Sequence, residues 1–484
     1  MQLVESRSID YVPLAERRGK VWHLWPIWFT GDAHLATLAT GALAIPLGLS
    51  FAWAAVAILS GVALGTFFMS FHSSQGPELG LPQMIQSRPQ FGYRGALLVW
   101  VVALITYIGY NAFNQVLIGA TMEHLIGADP IVTIVLFTLL SLVVAVCGYD
   151  LIHRAQRVLA VVMITALTLF TIGAMILVDK HLFTDFSNFK PTPFLIQFFA
   201  AAAYQLSWSI YVSDYSRYLP RDVGVRATFW WTFLGAYIGG AWMMLVGALA
   251  AALFPALQLI AAVRSAGDQI YPNFGVVLLV FSSFAMLTAT SLNLYGASLT
   301  LLSIVDSFRK IALNDRARLI ALAVAAVAST SLAATASDDL RTQFEHLLAI
   351  LIYLFTPWTA INLVDFFIVR RGHYSIREIF NPDGIYGRWN WRGLSAYAIG
   401  FVSMAPFFST GFYRGPMATL LGGADISMLI GLPVSAIAYL VACRSLDLVA
   451  ERKIIDVADL GLEAEATASS PVDGGPVAWR SAEA

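Results

Sequence analysis

The sequence predicts an all-α integral membrane protein with twelve transmembrane helices. Of its 484 residues, 58% are hydrophobic and 12% are charged, and the mean hydropathy is +0.71. A soluble chain carries about 25% charged residues, and a single soluble core stops growing near ~250–300 residues. Most of the apolar surface must therefore contact lipid.

The spacing of apolar runs predicts the spans. A span needs about 20 apolar residues, and twelve runs are long enough, numbered here as spans 1 to 12. They lie at about 25–49, 51–71, 96–120, 129–147, 157–178, 193–212, 227–254, 274–304, 317–335, 345–369, 394–411 and 425–443. We expect a cytoplasmic tail over 1–24, a transmembrane domain over 25–444 and, from its acidic, small-residue composition, a disordered cytoplasmic tail over 445–484.

Basic residues are distributed asymmetrically around these spans. With the amino terminus inside, the predicted cytoplasmic segments hold 24 of the 29 Lys and Arg residues, and the external loops hold 5. This positive-inside bias supports an even number of spans with both termini in the cytoplasm. The most basic segment, 370–392, is interpreted as a topology anchor. The net charge of −1 gives no electrostatic case for nucleic acid as a partner.

Span 1 carries the polar run Thr30-Gly-Asp-Ala-His34. At 1.5 Å per residue, Asp32 lies about 10 Å inside Trp25. A carboxylate and an imidazole beside a glycine at that depth predict an interrupted helix next to an aqueous cavity, where free carbonyls can hold a cation. The alternative is a structural pair inside the bundle; for Asp32 alone the two interpretations carry equal weight.

Other spans carry polar and aromatic candidates. In span 3, Tyr110 and Asn114 are four residues apart and share a helix face. An aromatic ring beside an amide suits a flat heterocycle, although a polar interhelical contact fits the spacing equally well. Trp208 lies inside span 6, and Asn293 in span 8 must find a hydrogen-bond partner. Asp365, near the basic end of span 10, is predicted to be a structural ion-pair partner.

Span 6 also carries a polar run in mid-membrane, YQLSWS at 204–209, so the two interrupted-looking spans are the first and the sixth. Five spans separate their starts, and an odd offset reverses the direction of a helix through the membrane. This arrangement fits an inverted repeat of five plus five helices, with discontinuous helices 1 and 6 meeting at the midplane.

Three segments carry a family resemblance: LPQMIQSRPQFGYRG at 81–95, SDYSRYLP at 213–220 and NLVDFFIVRRGHY at 362–374. They resemble the segments after helices 2, 6 and 10 of the nucleobase:cation symporter-1 family, the purine/cytosine permease-like transporters. The resemblance covers about 20–445. It implies a twelve-helix symporter that imports nucleobases, hydantoins, allantoin or related vitamins with sodium or protons.

The resemblance also implies a substrate site. In the family, substrate stacks between an aromatic residue of helix 3 and a tryptophan of helix 6, and the matching positions here are Tyr110 and Trp208. The family's amides of helices 3 and 8 match Asn114 and Asn293, and a glutamine at the helix 1 break is matched by His34. Tyrosine replaces the usual tryptophan on helix 3, so the substrate's identity is not carried over.

The resemblance implies a cation site that is altered in this chain. Thr30 and Ala33 match the carbonyl donors, but Leu287 and Thr288 replace two adjacent hydroxyl residues, so one oxygen ligand is lost. A hard cation needs several oxygen ligands. Asp32 and the neighbouring imidazole add titratable groups. Our hypothesis is therefore proton coupling, with sodium as the alternative, and no other cofactor is expected.

The sequence thus predicts a secondary active symporter for a planar nitrogen heterocycle, working by alternating access. We expect a multi-pass protein of the plasma membrane (the inner membrane of a bacterium) that contacts lipid. The sequence is compatible with a monomer. The eight histidines form no HExxH motif and the chain has no GxSxG motif, so an enzyme is not expected. A channel or a non-transporting sensor on the same scaffold remain the alternatives.

Overall fold

The computed structural model describes residues 9–147, 149–187, 189–309, 315–336 and 340–468, and these residues contain α-helices but no β-strand. The helices are α1 Leu24–Asp32, α2 Leu35–Gly41, α3 Phe51–Ser73, α4 Gln75–Leu79, α5 Arg88–Phe91, α6 Leu97–Ile126, α7 Pro130–Cys147, α8 Tyr149–Leu177, α9 His181–Thr184, α10 Pro191–Ser207, α11 Val212–Ser216, α12 Gly224–Leu253, α13 Leu259–Ile270, α14 Phe274–Phe308, α15 Asp315–Ala334, α16 Leu340–Val364, α17 Ile376–Phe380, α18 Trp391–Met404, α19 Pro416–Leu420, α20 Ser427–Ala442, α21 Leu448–Ala458 and α22 Leu462–Ala468.

Each predicted span contains one of these helices, or two where the span is interrupted. Within the described ranges, eight helices are long and apolar enough to cross a membrane, and they fall in spans 2, 3, 5, 7, 8, 9, 10 and 12. The apolar helices Leu35–Leu47 and Pro130–Val146 are shorter. Interruption shortens the helices of spans 1 and 6, because each break divides one apolar run into separate helices.

The helices pack in groups. In the first group, α1 and α2 lie against α12, and α10 lies against α3, which also contacts α12. In the second group, α6, α7, α14 and α15 contact one another. A third group contains α16, α18 and α20. The pairing is reciprocal, since span 1 packs on span 7 as span 6 packs on span 2, and span 3 packs on span 9 as span 8 packs on span 4.

Two glycines allow α12 to approach the first broken helix. A β-carbon at Gly235 would lie 2.5 Å from the carbonyl oxygen of Trp25, and one at Gly239 would lie 2.6 Å from that of Phe29. The glycines are one helical turn apart and share a face. Small residues of this kind let helix backbones pack closely where the hydrophobic effect does not hold helices together.

A buried ion pair lies at the end of span 10. The Arg370 guanidinium is 2.6 Å from the Asp365 carboxylate, and both side chains are buried. Asp365 also accepts hydrogen bonds from Gln90 (2.7 Å), Tyr374 (2.9 Å) and Tyr439 (2.9 Å). The prediction that Asp365 is a structural ion-pair partner is confirmed, and its many donors compensate the cost of burying the charge.

The structure corrects the prediction of a disordered tail over 445–484, because α21 and α22 form there. Glu451 of α21 accepts two hydrogen bonds from Arg370, at 2.6 and 3.3 Å. Asp459 accepts two backbone N–H groups at the start of α17, at 2.8 and 3.1 Å. The acidic residues that suggested disorder by composition pair with specific donors of the preceding segment. Residues 469–484 lie outside the described part of the chain.

The amino-terminal segment lies at the same end of the bundle. Tyr11 donates a hydrogen bond to Glu463 of α22, and burial raises the pKa of Tyr11, which keeps the phenol protonated as a donor. Arg17 donates to the carbonyl oxygens of Val12 at 2.8 Å and Pro77 at 2.6 Å. The two terminal segments therefore contact each other, and the amino-terminal segment also contacts α4.

We expect Glu451→Ala to lower the apparent melting temperature of the purified protein. Hydrogen bonds to charged groups contribute about 1.5–3 kcal/mol, and this change removes two from a buried guanidinium. The matched control is Asp383→Asn, which breaks the exposed pair with Arg388 (2.8 Å) and should change the melting temperature little. Equal effects of the two variants would contradict this assignment.

Candidate functional site

The first helix break lies where the sequence predicts it. Helix α1 ends at Asp32, and Ala33 leaves the helical conformation with φ −83° and ψ 57°. His34 is extended, with φ −145° and ψ 173°, and its Nδ1 accepts a hydrogen bond from the Ala36 N–H at 3.3 Å. The imidazole thus caps α2 and satisfies a backbone donor that the break would leave unpaired.

The second break lies in span 6. Helix α10 ends at Ser207, and Trp208–Ile210 form a 3₁₀ turn. Tyr211 then has φ −141° and ψ 12°, and α11 starts at Val212. The prediction of interrupted helices in spans 1 and 6 is confirmed.

Side chains connect the two breaks. The amide nitrogen of Gln205 donates to the Asp32 carboxylate at 3.0 Å. The Nε2 of His34 lies 3.4 Å from the Tyr204 hydroxyl, which in turn lies 2.6 Å from the Thr37 hydroxyl. Because Nδ1 of a neutral His34 is an acceptor here, Nε2 carries the hydrogen and donates to Tyr204. Both titratable residues of span 1 are therefore held by side chains of span 6.

A central cavity lies between the first two helix groups. Its volume is about 10 Å³, roughly the space that one water molecule needs. All five residues predicted to bind substrate line it, and they come from the helix 1 break, α6, span 6 and α14. The lining residues are His34, Thr106, Tyr110, Asn114, Tyr204, Ser207, Trp208, Tyr211, Ala289 and Asn293.

Aromatic rings form much of the cavity wall. Tyr110 packs edge-to-face on Tyr204, with 5.7 Å between ring centroids. Trp208 packs edge-to-face on Tyr211 at 5.5 Å and on Trp28 at 6.0 Å. The two aromatic candidates, Tyr110 and Trp208, thus reach the cavity from the second and the first helix group respectively. A flat ring between them would be contacted by both groups.

The two candidate amides each have one end held by the protein. The amide nitrogen of Asn114 donates to the Thr290 hydroxyl at 3.1 Å. The Tyr211 hydroxyl donates to the amide oxygen of Asn293, also at 3.1 Å. Aromatic faces and oriented amides together can stack on a planar heterocycle and hydrogen-bond its edge.

The predicted ion-coupling residues are not joined to one another as the predicted substrate residues are joined by the cavity. Thr30, Asp32 and Ala33 lie at the first break, and Thr288 lies on α14, which packs against α1 and α2. The Thr288 hydroxyl donates to the Ala285 carbonyl at 2.7 Å. Among the described residues, no hydrogen bond joins Thr288 to the first break, and no group of three His, Cys, Asp or Glu side chains could hold a metal ion.

Sequence reasoning missed the residues of span 6 that bond to the first break or to a cavity amide, namely Tyr204, Gln205 and Tyr211. The resemblance points to Trp208 alone in the polar run 204–209, which also contains Tyr204 and Gln205, and Tyr211 lies beyond the run. Residues three positions before and after Trp208 share its helix face. That spacing selects Gln205 and Tyr211, and it was the available signal.

Comparison with known proteins identifies the family. The family described as "Permease for cytosine/purines, uracil, thiamine, allantoin" matches residues 11–431. "Putative purine-cytosine permease YxlA" of Bacillus subtilis is 34% identical over 449 residues, which cover 91% of this chain and 96% of the relative. The purine-cytosine permease fcyB of Emericella nidulans is 24% identical over 90% of this chain and 88% of its own.

Solved structures agree on the fold. Mhp1, a nucleobase-cation-symport-1 family transporter in a closed conformation with bromovinylhydantoin bound, superposes with a TM-score of 0.73 at 18% identity. The match covers 93% of this chain and all of Mhp1. Inward-facing Mhp1 gives a TM-score of 0.70. The chain therefore belongs to the nucleobase:cation symporter-1 family of cytosine and purine permeases, and it is a multi-pass membrane transporter rather than an enzyme.

Proposed function

We propose that this protein is a secondary active symporter that imports a nucleobase or a related planar nitrogen heterocycle, a class that includes hydantoins, allantoin and vitamin-like rings. The observation that carries the proposal is the central cavity, where aromatic rings and an imidazole near the two helix breaks face an aromatic ring and two amides of α6 and α14. The names of the relatives, purine-cytosine permeases from a bacterium and a fungus, support the same class of substrate.

In the proposed complex, the heterocycle stacks between Tyr110 and Trp208 while Asn114 and Asn293 bond its edge. Stacking on an aromatic side chain contributes about 1–3 kcal/mol per base. The cavity volume of about 10 Å³ is too small for such a ring, so the aromatic side chains must separate on binding. Because they belong to different helix groups, binding would change the spacing of those groups.

We further propose twelve spans, with both termini in the cytoplasm and the protein in the plasma membrane. The positive-inside bias of the sequence supports this topology. The reciprocal helix pairing supports a five-plus-five inverted repeat, because a repeat that relates spans 1 and 2 to spans 6 and 7 turns the contact of span 1 with span 7 into that of span 6 with span 2. Alternating access would then be rocking of the first helix group against the others.

The proposed coupling site combines Thr30, Asp32 and Ala33 of the first break with Thr288 of α14, a helix that packs against α1 and α2. A proton is the first candidate for the coupling ion, since Asp32 is buried at the break and hydrogen-bonded to Gln205 of span 6. A change in the charge of Asp32 would alter the bond that joins the two breaks. Sodium is the alternative, with carbonyl and hydroxyl oxygens as ligands.

We expect Trp208→Ala and Asn293→Ala each to abolish detectable substrate binding while the protein still reaches the membrane. Loss of the stacking surface or the amide removes the principal contacts of a flat ring. The assay is thermal stabilisation of the purified protein by nucleobases, hydantoins, allantoin and pyridoxine-like compounds, because a ligand of the folded state raises its stability. The control is Trp230→Ala, since Trp230 is half exposed on α12. Normal affinity in both site variants would refute the site.

The coupling ion is tested by uptake into proteoliposomes or cells in sodium-free buffer, with and without a protonophore. Proton coupling predicts concentrative uptake without sodium that the protonophore abolishes. Asp32→Asn keeps a hydrogen-bonding group but removes the charge, and we expect it to lose accumulation. Uptake that requires sodium and does not depend on the pH gradient would contradict proton coupling and identify sodium as the coupling ion. If the internal substrate concentration never exceeds the external one, the protein acts as a channel. If substrate binds but is not taken up, the protein acts as a sensor.

A further inference from the structure

The orientation of the two cavity amides decides what the site offers to a ligand. The Tyr211 hydroxyl donates to the oxygen of Asn293 at 3.1 Å, so that oxygen is engaged. Asn293 lines the cavity, and no hydrogen bond involves its amide nitrogen among the described residues. A phenol that donates to the oxygen therefore leaves the N–H groups of Asn293 as the side that can meet a ligand.

Asn114 is held in the opposite sense. Its amide nitrogen donates to the Thr290 hydroxyl oxygen at 3.1 Å. A helical threonine hydroxyl can give its own hydrogen to a carbonyl one turn back, which leaves its oxygen to accept. The amide oxygen of Asn114 is buried and has no hydrogen-bond partner among the described residues. A buried, unpaired acceptor is costly, and a ligand N–H would remove that cost.

The packing of two helices places both amides in the wall of one cavity. Asn114 is on α6 and Asn293 is on α14, and these helices pack against each other in the second group. Trp208 approaches the same cavity from the first group. A ring that stacks on Trp208 can therefore present one edge to this wall, where it meets a donor from Asn293 and an acceptor from Asn114.

We propose that Tyr211 and Thr290 are positioning residues that fix this donor–acceptor pair and so determine the substrate class. The matching ligand is a planar heterocycle with an N–H group directly beside a carbonyl or ring-nitrogen acceptor, as in a lactam, a cyclic ureide or an amidine. Rings whose edge lacks the N–H, or carries its donor and acceptor far apart, fit poorly. This inference rests on the proposed function, because it concerns the same cavity.

Three small rings of nearly equal size test the pattern. 2-Pyridone has a single edge with adjacent N–H and C=O, N-methyl-2-pyridone lacks the N–H, and 4-pyridone has the two groups at opposite ends. With one hydrogen bond worth about 0.5–1.5 kcal/mol, we expect 2-pyridone to bind the purified full-length protein about fivefold more tightly than the other two. Ligand-observed NMR suits such weak ligands. Equal affinities for the three rings would overturn the proposal.

Two variants test the positioning residues. Tyr211→Phe keeps the ring but frees the Asn293 amide to turn, so we expect the preference for 2-pyridone over 4-pyridone to shrink by about threefold. Thr290→Val frees Asn114 and should reduce discrimination against N-methyl-2-pyridone; it also serves if Tyr211→Phe does not fold. The matched control is Tyr107→Phe, a buried phenol beside Tyr211 that is not part of the cavity wall, and it should keep both preferences.

The outcomes separate this inference from the proposed function. If Trp208→Ala abolishes 2-pyridone binding but the wild-type protein does not distinguish the three rings, the site stands and the inference fails. If Trp208→Ala leaves pyridone binding intact, the cavity is not the binding site and both fail. If Tyr211→Phe and Thr290→Val keep the wild-type preferences among the three rings, these two residues do not position the amides.

Discussion

The fold depends on supplying hydrogen-bond partners for the polar groups of two interrupted helices inside an apolar medium. Backbone N–H and C=O groups released by a break cannot be solvated by lipid, so a break is tolerated only where protein or a polar cavity supplies partners. Here the first break is capped by His34, and its carboxylate Asp32 is bonded by Gln205 near the second break. Side chains near the second break are therefore bonded to side chains of the first, so a change in the position of one break alters the contacts of the other.

This constraint also explains the composition of the surrounding helices. The breaks must be covered closely, and α12 achieves this with Gly235 and Gly239, whose missing side chains make room for the carbonyls of α1. Between the breaks, the same need for shielding is met by aromatic rings rather than aliphatic side chains. Rings cover a large area, yet Tyr204 and Tyr211 also carry hydroxyls that bond to His34 and Asn293. A cavity with flat apolar walls and fixed polar points is the result.

Sequence periodicity was sufficient for the features that depend on single segments. The all-helical architecture, the breaks in spans 1 and 6, and the pairing of Asp365 could be predicted, because polar residues within an apolar run are costly wherever they occur. The partners of those residues could not be predicted, since the bond of Gln205 to Asp32 joins positions 173 residues apart. The orientation of each cavity amide likewise depends on a neighbour from another helix.

Composition misled the prediction for the carboxy-terminal segment for a similar reason. Its acidic, small-residue composition predicts disorder, whereas Glu451 pairs with a buried arginine and Glu463 accepts a hydrogen bond from Tyr11. The amino-terminal segment meanwhile bonds to the end of α4, where the Val12 N–H donates to the Gly80 carbonyl at 3.0 Å. The two tails thus link the first helix group to the segment after span 10. If that group rocks as proposed, contacts between the tails and both parts would change, and the terminal segments would then contribute to the energy difference between the two access states.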